Sequence, residues 1–140
     1  MSALMHITLP GEAPDRFPFS AAVSDGNLLF VAGQVASDDP AWSAPAGDIV
    51  QETHAVMQRV ARILAASGLG LEDVLRVGVF MTNLADFARM NAVYQTYFTG
   101  PHLPARTCVG VAQLLGAHVI EIDCVARLRL APNAGSAPSA

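Results

Sequence analysis

Arg106 stands in Pro104-Ala105-Arg106-Thr107, and Glu121 follows in Ile120-Glu121-Ile122-Asp123. A proline fixes φ and disfavours helix before it, so this segment enters an extended conformation. The arginine is then held near the start of a strand, where its fork suits a planar carboxylate. A glutamate on the next strand could handle a proton beside it. Strand alternation puts Arg106, Cys108, Gly110 and Ala112 on one face and Thr107, Val109 and Val111 on the other. Small residues beside the arginine leave room for a ligand. Taken alone, Arg106 reads first as a surface arginine whose stem covers apolar area. Glu121 and Asp123 read first as solvated strand residues.

Composition narrows the chemistry. All 8 basic residues are arginines. A chain without lysine cannot form a Schiff base, anchor pyridoxal phosphate or use a phosphate-loop lysine. Net charge is -4 with no basic run, which disfavours nucleic acid as a partner. His6, His54, His102 and His118 are scattered, so no metal site is expected. Cys108 and Cys124 read as reduced thiols. Cys108 as a nucleophile would need a base, for which His118 is the late-chain candidate; a small buried thiol is the commoner case.

The 140 residues predict one domain over 1–130 and a loose tail over 131–140, rich in Ala, Pro, Gly and Ser. Hydrophobic residues make up 52% and charged residues 14%. That surplus is generous for a lone small domain and predicts burial between subunits. No apolar run spans a membrane and no secretion signal is visible, so a cytoplasmic protein is expected.

Asp25-Gly26 between apolar runs predicts a hairpin over 20–33, after a first strand over 4–9. Residues 37–47 read as a surface loop in which Trp42 packs locally. Asp48 caps a helix reaching Ser67, with Ile49, Val56, Val60, Ile63 and Leu64 on one face and Gly68 as its stop. A strand follows over 74–81. Asn83 caps a second helix that buries Leu84, Phe87, Met90, Tyr94 and Phe98 and ends at Gly100-Pro101. The last strands cover 107–112 and 119–130. The order implies a two-layer α+β domain with both helices on one face of a mixed sheet.

Several segments, in order across about residues 15–129, resemble the RidA (YjgF-like) family of enamine/imine deaminases. They are Pro18-Phe19-Ser20, the hairpin Gly26 to Gln34, Gly47-Asp48-Ile49-Val50, Val79-Phe80-Met81-Thr82, Asp86 to Tyr94, Pro104 to Val109, and Val119 to Asp123. The resemblance implies a homotrimer of chorismate-mutase-like subunits around a central barrel, with clefts between neighbouring subunits. It implies that Arg106 binds a substrate carboxylate and that Glu121 activates water for attack on an imine carbon. Cys108, Asn91 and the hairpin residues Ala32 and Gly33 would line the cleft. The reaction would be hydrolytic deamination of 2-imino or enamine acids to 2-keto acids and ammonia, without metal or organic cofactor.

The chain departs from that pattern at Phe19, where well-characterised deaminases carry tyrosine. Ala32 replaces a serine, and Gly110 an acidic residue. A more apolar pocket, preferring larger or more apolar side chains, is the expectation. Two rival readings stand beside it: a non-catalytic trimer that binds a small carboxylate, and a degradative deaminase of the aminomuconate type.

Overall fold

The protein is described from a computed structural model covering residues 4–129. The end of the last predicted strand at residue 130 and the tail over 131–140 lie outside the described residues. One six-stranded sheet carries the fold. Its strands are β1 (Met5–Ile7), β2 (Ala22–Ser24), β3 (Leu28–Gln34), β4 (Val74–Met81), β5 (Ala105–Gly110) and β6 (Ile120–Arg127). Helix α1 (Ile49–Ala66) joins β3 to β4, and α2 (Phe87–Tyr94) joins β4 to β5. The spatial order is β1-β2-β3-β6-β4-β5, antiparallel except for the parallel β4–β5 pair. The predicted two-layer α+β architecture is therefore observed.

Local chemistry explains the elements. Asp25 Oδ1 accepts from the backbone N–H groups of Asn27 and Leu28, and Gly26 takes φ +98°, which closes the β2–β3 hairpin. The Asp48 carboxylate accepts from the Gln51 N–H and starts α1. Gly68, at φ +73°, ends it: its N–H bonds to Ala65 and that of Leu69 to Leu64. Between these ends α1 buries Val56, Met57, Val60, Ile63 and Leu64. They join one core with Leu29 and Val31 of β3 and Ile120, Ile122, Cys124 and Ala126 of β6. The other face of the sheet carries Phe30, Glu121, Asp123 and Val125, which no helix covers, and Phe30 is 48% exposed.

The second helix is shorter than predicted. Asn83 does cap, its Oδ1 accepting from Ala85, but it starts a 3-10 turn over Leu84–Asp86. Helix α2 then ends at Tyr94, where the N–H groups of Thr96 and Tyr97 tighten onto the carbonyls three residues back. Leu84 and Phe87 are exposed, contrary to expectation; Leu84 lies over Gly110 at the end of β5. Phe98 lies beyond the helix, and its ring packs against Tyr94 at 4.9 Å. Trp42 packs locally, as expected, against the core and the edge of His118. No helix among the described residues is long and apolar enough to cross a membrane.

Candidate functional site

Strand β5 is an edge strand paired only with β4, so its outer side is open. Arg106 is in register with Val77 of β4, which in turn faces Cys124 of β6. Val77 and Cys124 are buried under the helices. Arg106 therefore rises on the helical face. There its Nη1 donates to Asn91 Oδ1 at 2.7 Å. The guanidinium carbon lies 4.6 Å from the centre of the Tyr94 ring and 5.4 Å from that of Phe87. Such ring faces attract a cation and restrict its rotation. Among the described residues Arg106 has no carboxylate partner, whereas Arg59, Arg62, Arg89 and Arg129 are each paired with one. It borders a cleft of about 380 Å³ with Asn91, Tyr94, Phe98, Leu103 and Pro104.

Cys108 shares this face, as alternation predicted. Its Sγ lies 3.7 Å from the sulfur of buried Met81. Burial pushes its thiol pKa up, and the nearby Arg106 charge only partly offsets this. Burial likewise raises the Tyr94 phenol. Cys124, deeper in the core, is pushed up to about 12 by burial and by Asp123. The raised values disfavour the thiolate at both positions. His118 does not serve Cys108; its two ring nitrogens are bonded to Glu52 and Ser37. Among the described residues no cluster of His, Cys, Asp or Glu could hold a metal.

Glu121 lies elsewhere. It is in register with Phe80 of β4, and Phe80 with Val109 of β5, all on the face away from the helices. Two features keep Arg106 and Glu121 apart within one chain. Strand β4 lies between β5 and β6, and the two side chains leave opposite faces of the sheet. Glu121 instead borders a separate cavity of about 720 Å³ with Thr82, Leu114, Gly116 and His118. Burial raises its carboxyl pKa, and the charges of Asp38 and Asp123 raise it further.

Gly33 lies beside Glu121. A β-carbon there would come within 2.7 Å of Glu121 Oε2 and 2.9 Å of its Cδ. The glycine thus leaves the space the carboxyl occupies, and the bulge between Val31 and Gln34 brings it there. Gly33→Ala will swing the Glu121 carboxyl away. Any turnover that depends on the Glu121 carboxyl should fall about ten-fold or more through misplacement, with an unchanged melting temperature. Steady-state kinetics and thermal unfolding check this. Ala32 precedes it, and its N–H donates to Ala21. Phe19, 51% exposed, stacks on Phe17 at 5.1 Å and forms an apolar plate.

The predicted residues thus divide in one chain: Arg106, Asn91 and Cys108 lie on the helical side, Glu121 and Gly33 on the open side, and Phe19 borders neither the Arg106 cleft nor the Glu121 cavity. Sequence reasoning missed the aromatic support of Arg106 by Phe87 and Tyr94. Apolarity alone assigns both to α2, and the pairing with β5 has no local sequence signal.

A family model described as Endoribonuclease L-PSP matches residues 11–128. A RutC family protein of Pyrococcus horikoshii is 41% identical over 109 residues, covering 78% of this chain and 86% of that protein. The 2-iminobutanoate/2-iminopropanoate deaminase of Escherichia coli is 34% identical over 111 residues, covering 78% and 86%. The crystal structure of Escherichia coli TdcF with bound serine superposes with a TM-score of 0.74 at 30% identity, over 85% of this chain and 92% of that one. With the fold, the ordered motifs and these likenesses in agreement, the chain belongs to the YjgF/RidA/RutC family.

Proposed function

We propose that this protein hydrolyses the C=N bond of 2-imino acids, releasing ammonia and a 2-keto acid, in clefts between copies of a homotrimer. The observation that carries the reading is Arg106: a guanidinium braced by Asn91, Phe87 and Tyr94 at the mouth of a cleft, with no carboxylate partner among the described residues. A free, oriented fork is a receptor for an organic acid. The relatives support it: one is named for this deamination, and another holds serine, which carries the same carboxylate.

Glu121 has the raised pKa of a proton carrier but sits on the opposite face of its own chain. A second copy must therefore bring its Glu121 face to the first copy's Arg106. The uncovered face of the sheet, with Phe30 exposed, supplies apolar surface for that contact. In the reaction Arg106 holds the carboxylate and Glu121 takes a proton from water as its oxygen bonds to the imine carbon. The nitrogen gains protons, the C–N bond breaks, ammonia leaves and the carbonyl forms. The barrier for such hydrolysis is modest, so orientation and one proton carrier suffice. Phe19 and Ala32 carry no hydroxyl, so a cleft that they line would favour larger or more apolar side chains. The acidic net charge weighs against RNA as the substrate.

A carboxylate receptor without turnover is the second reading. It is favoured by the Arg106 cleft forming within one chain without Glu121. Imines generated in place by an amino-acid oxidase separate the two readings. The deaminase accelerates keto-acid release over buffer, most for bulky apolar side chains. No acceleration with any side chain would eliminate the enzyme.

A further inference from the structure

Ser37, His118 and Glu52, the last in α1's first turn, form a chain of hydrogen bonds. His118 Nδ1 lies 3.1 Å from Glu52 Oε1, and His118 Nε2 lies 2.8 Å from Ser37 Oγ. Glu52 is fully buried. Its Oε1 also accepts from the Val119 N–H at 3.0 Å, and its Oε2 from the Gly47 N–H at 2.6 Å. A carboxylate that receives those backbone N–H groups can only accept from the imidazole. In the neutral ring the proton therefore sits on Nδ1, and the Nε2 lone pair faces the serine hydroxyl. His118 is itself 3% exposed and packed against the edge of Trp42, so the ring cannot turn freely. Gly116 closes over the pair: a β-carbon there would meet His118 Cδ2 at 3.0 Å and Ser37 Oγ at 3.8 Å. Ser37 remains exposed to solvent. His118 also borders the cavity of about 720 Å³.

An acid that holds a histidine in one tautomer, with that histidine accepting from an accessible serine, is the arrangement that activates a serine for acyl transfer on unrelated folds. We propose that Ser37 is a nucleophile, with His118 as its base and Glu52 as the residue that positions His118. The class of substrate is a small activated ester or acyl donor. Ser37 Oγ bonds to the acyl carbon as its proton passes to His118 Nε2. The bond to the leaving oxygen then breaks, and His118 returns the proton to it, leaving an ester on Ser37. Water attacks that ester, His118 takes its proton, and cleavage restores the Ser37 hydroxyl. The sum is ester plus water giving acid plus alcohol. The groups supply a nucleophile and a base, so acyl groups with a good leaving group are the ones they fit. The groups differ from those of the imine chemistry, which lie on β5, α2 and β6, but His118 and Glu121 border the same cavity.

The test uses the intact protein with p-nitrophenyl acetate and with a fluorophosphonate, read by mass spectrometry of the whole chain and its peptides. The expected result is one adduct per chain, on Ser37. Ser37→Ala, a change at an exposed position, should cut labelling and p-nitrophenol release by about 100-fold. Imine hydrolysis by the same variant should stay at the wild-type rate. Nitrogen-15 NMR of the imidazole reads the positioning role: the wild type shows the Nδ1–H tautomer, and Glu52→Gln a mixture. Labelling spread over several serines and tyrosines, or undiminished in Ser37→Ala, overturns the proposal. A wild-type ring carrying its proton on Nε2 overturns it too.

Discussion

Arg106→Ala will weaken the binding of 2-keto acids and lower kcat/KM for 2-imino acids by the same large factor, with little loss of stability. Two charge-assisted hydrogen bonds to a carboxylate are each worth about 1.5–3 kcal/mol. Their removal should weaken keto-acid binding by about 100-fold or more. The same loss should appear in kcat/KM, because the carboxylate is held alike in ground and transition states. The fold should survive. Arg106 lies on an edge strand, and the described structure gives it one hydrogen bond, to Asn91, and no ion pair to break. Arg106→Lys is the sharper control. It keeps the charge but loses the planar fork and the stacking on Tyr94, so it should recover only a fraction of the affinity. Calorimetry with pyruvate and larger keto acids measures the binding arm, and coupled keto-acid release the kinetic arm. Wild-type affinity in Arg106→Ala would place the acid receptor elsewhere.

Local signals read well from sequence because they act over a few residues. Asp25-Gly26, the Asp48 cap, the Gly68 stop and the alternation along 120–127 each sit where their backbone geometry requires. The site did not read so well, because its geometry depends on pairing between distant strands. Parallel pairing of β5 with β4 inserts β4 between Arg106 and Glu121, and nothing in the period of either strand encodes that order. Register then sends the two side chains to opposite faces. The same limit hid Ser37, Glu52 and His118, which lie in a loop, a helix and a strand entry and meet only through the fold. Glu52 sits on the buried side of α1 as an acid among apolar residues. A buried acid requires a buried partner to bond to it. The exposure of Leu84 and Phe87 has a similar cause: periodicity marks a helical face, but what covers that face is a tertiary matter.

Glu121→Gln should separate binding from chemistry. The amide keeps the size of the side chain and cannot take a proton from water. Turnover should fall by about 10²–10⁴-fold, the usual contribution of a proton carrier, while keto-acid affinity stays near wild type because Arg106 is untouched. Loss of binding along with turnover would instead make Glu121 a structural partner of the ligand. The pH profile carries an independent sign. Within a single subunit, burial first, and then Asp38 and Asp123, raise the folded-state pKa of Glu121. As a base it must be ionised, so kcat/KM should fall as pH drops through that raised value, above the ordinary carboxylate range. Stability runs the other way. A carboxyl with a folded pKa above its unfolded one binds its proton more tightly when folded. The cost of its charge is therefore fully present above the folded pKa and is relieved as pH falls towards the unfolded value. Glu121→Gln removes this charge. The variant should melt higher than wild type at neutral pH, and the difference should shrink on acidification. Thermal unfolding across that pH range, set beside the kinetic profile, tests both signs on one side chain.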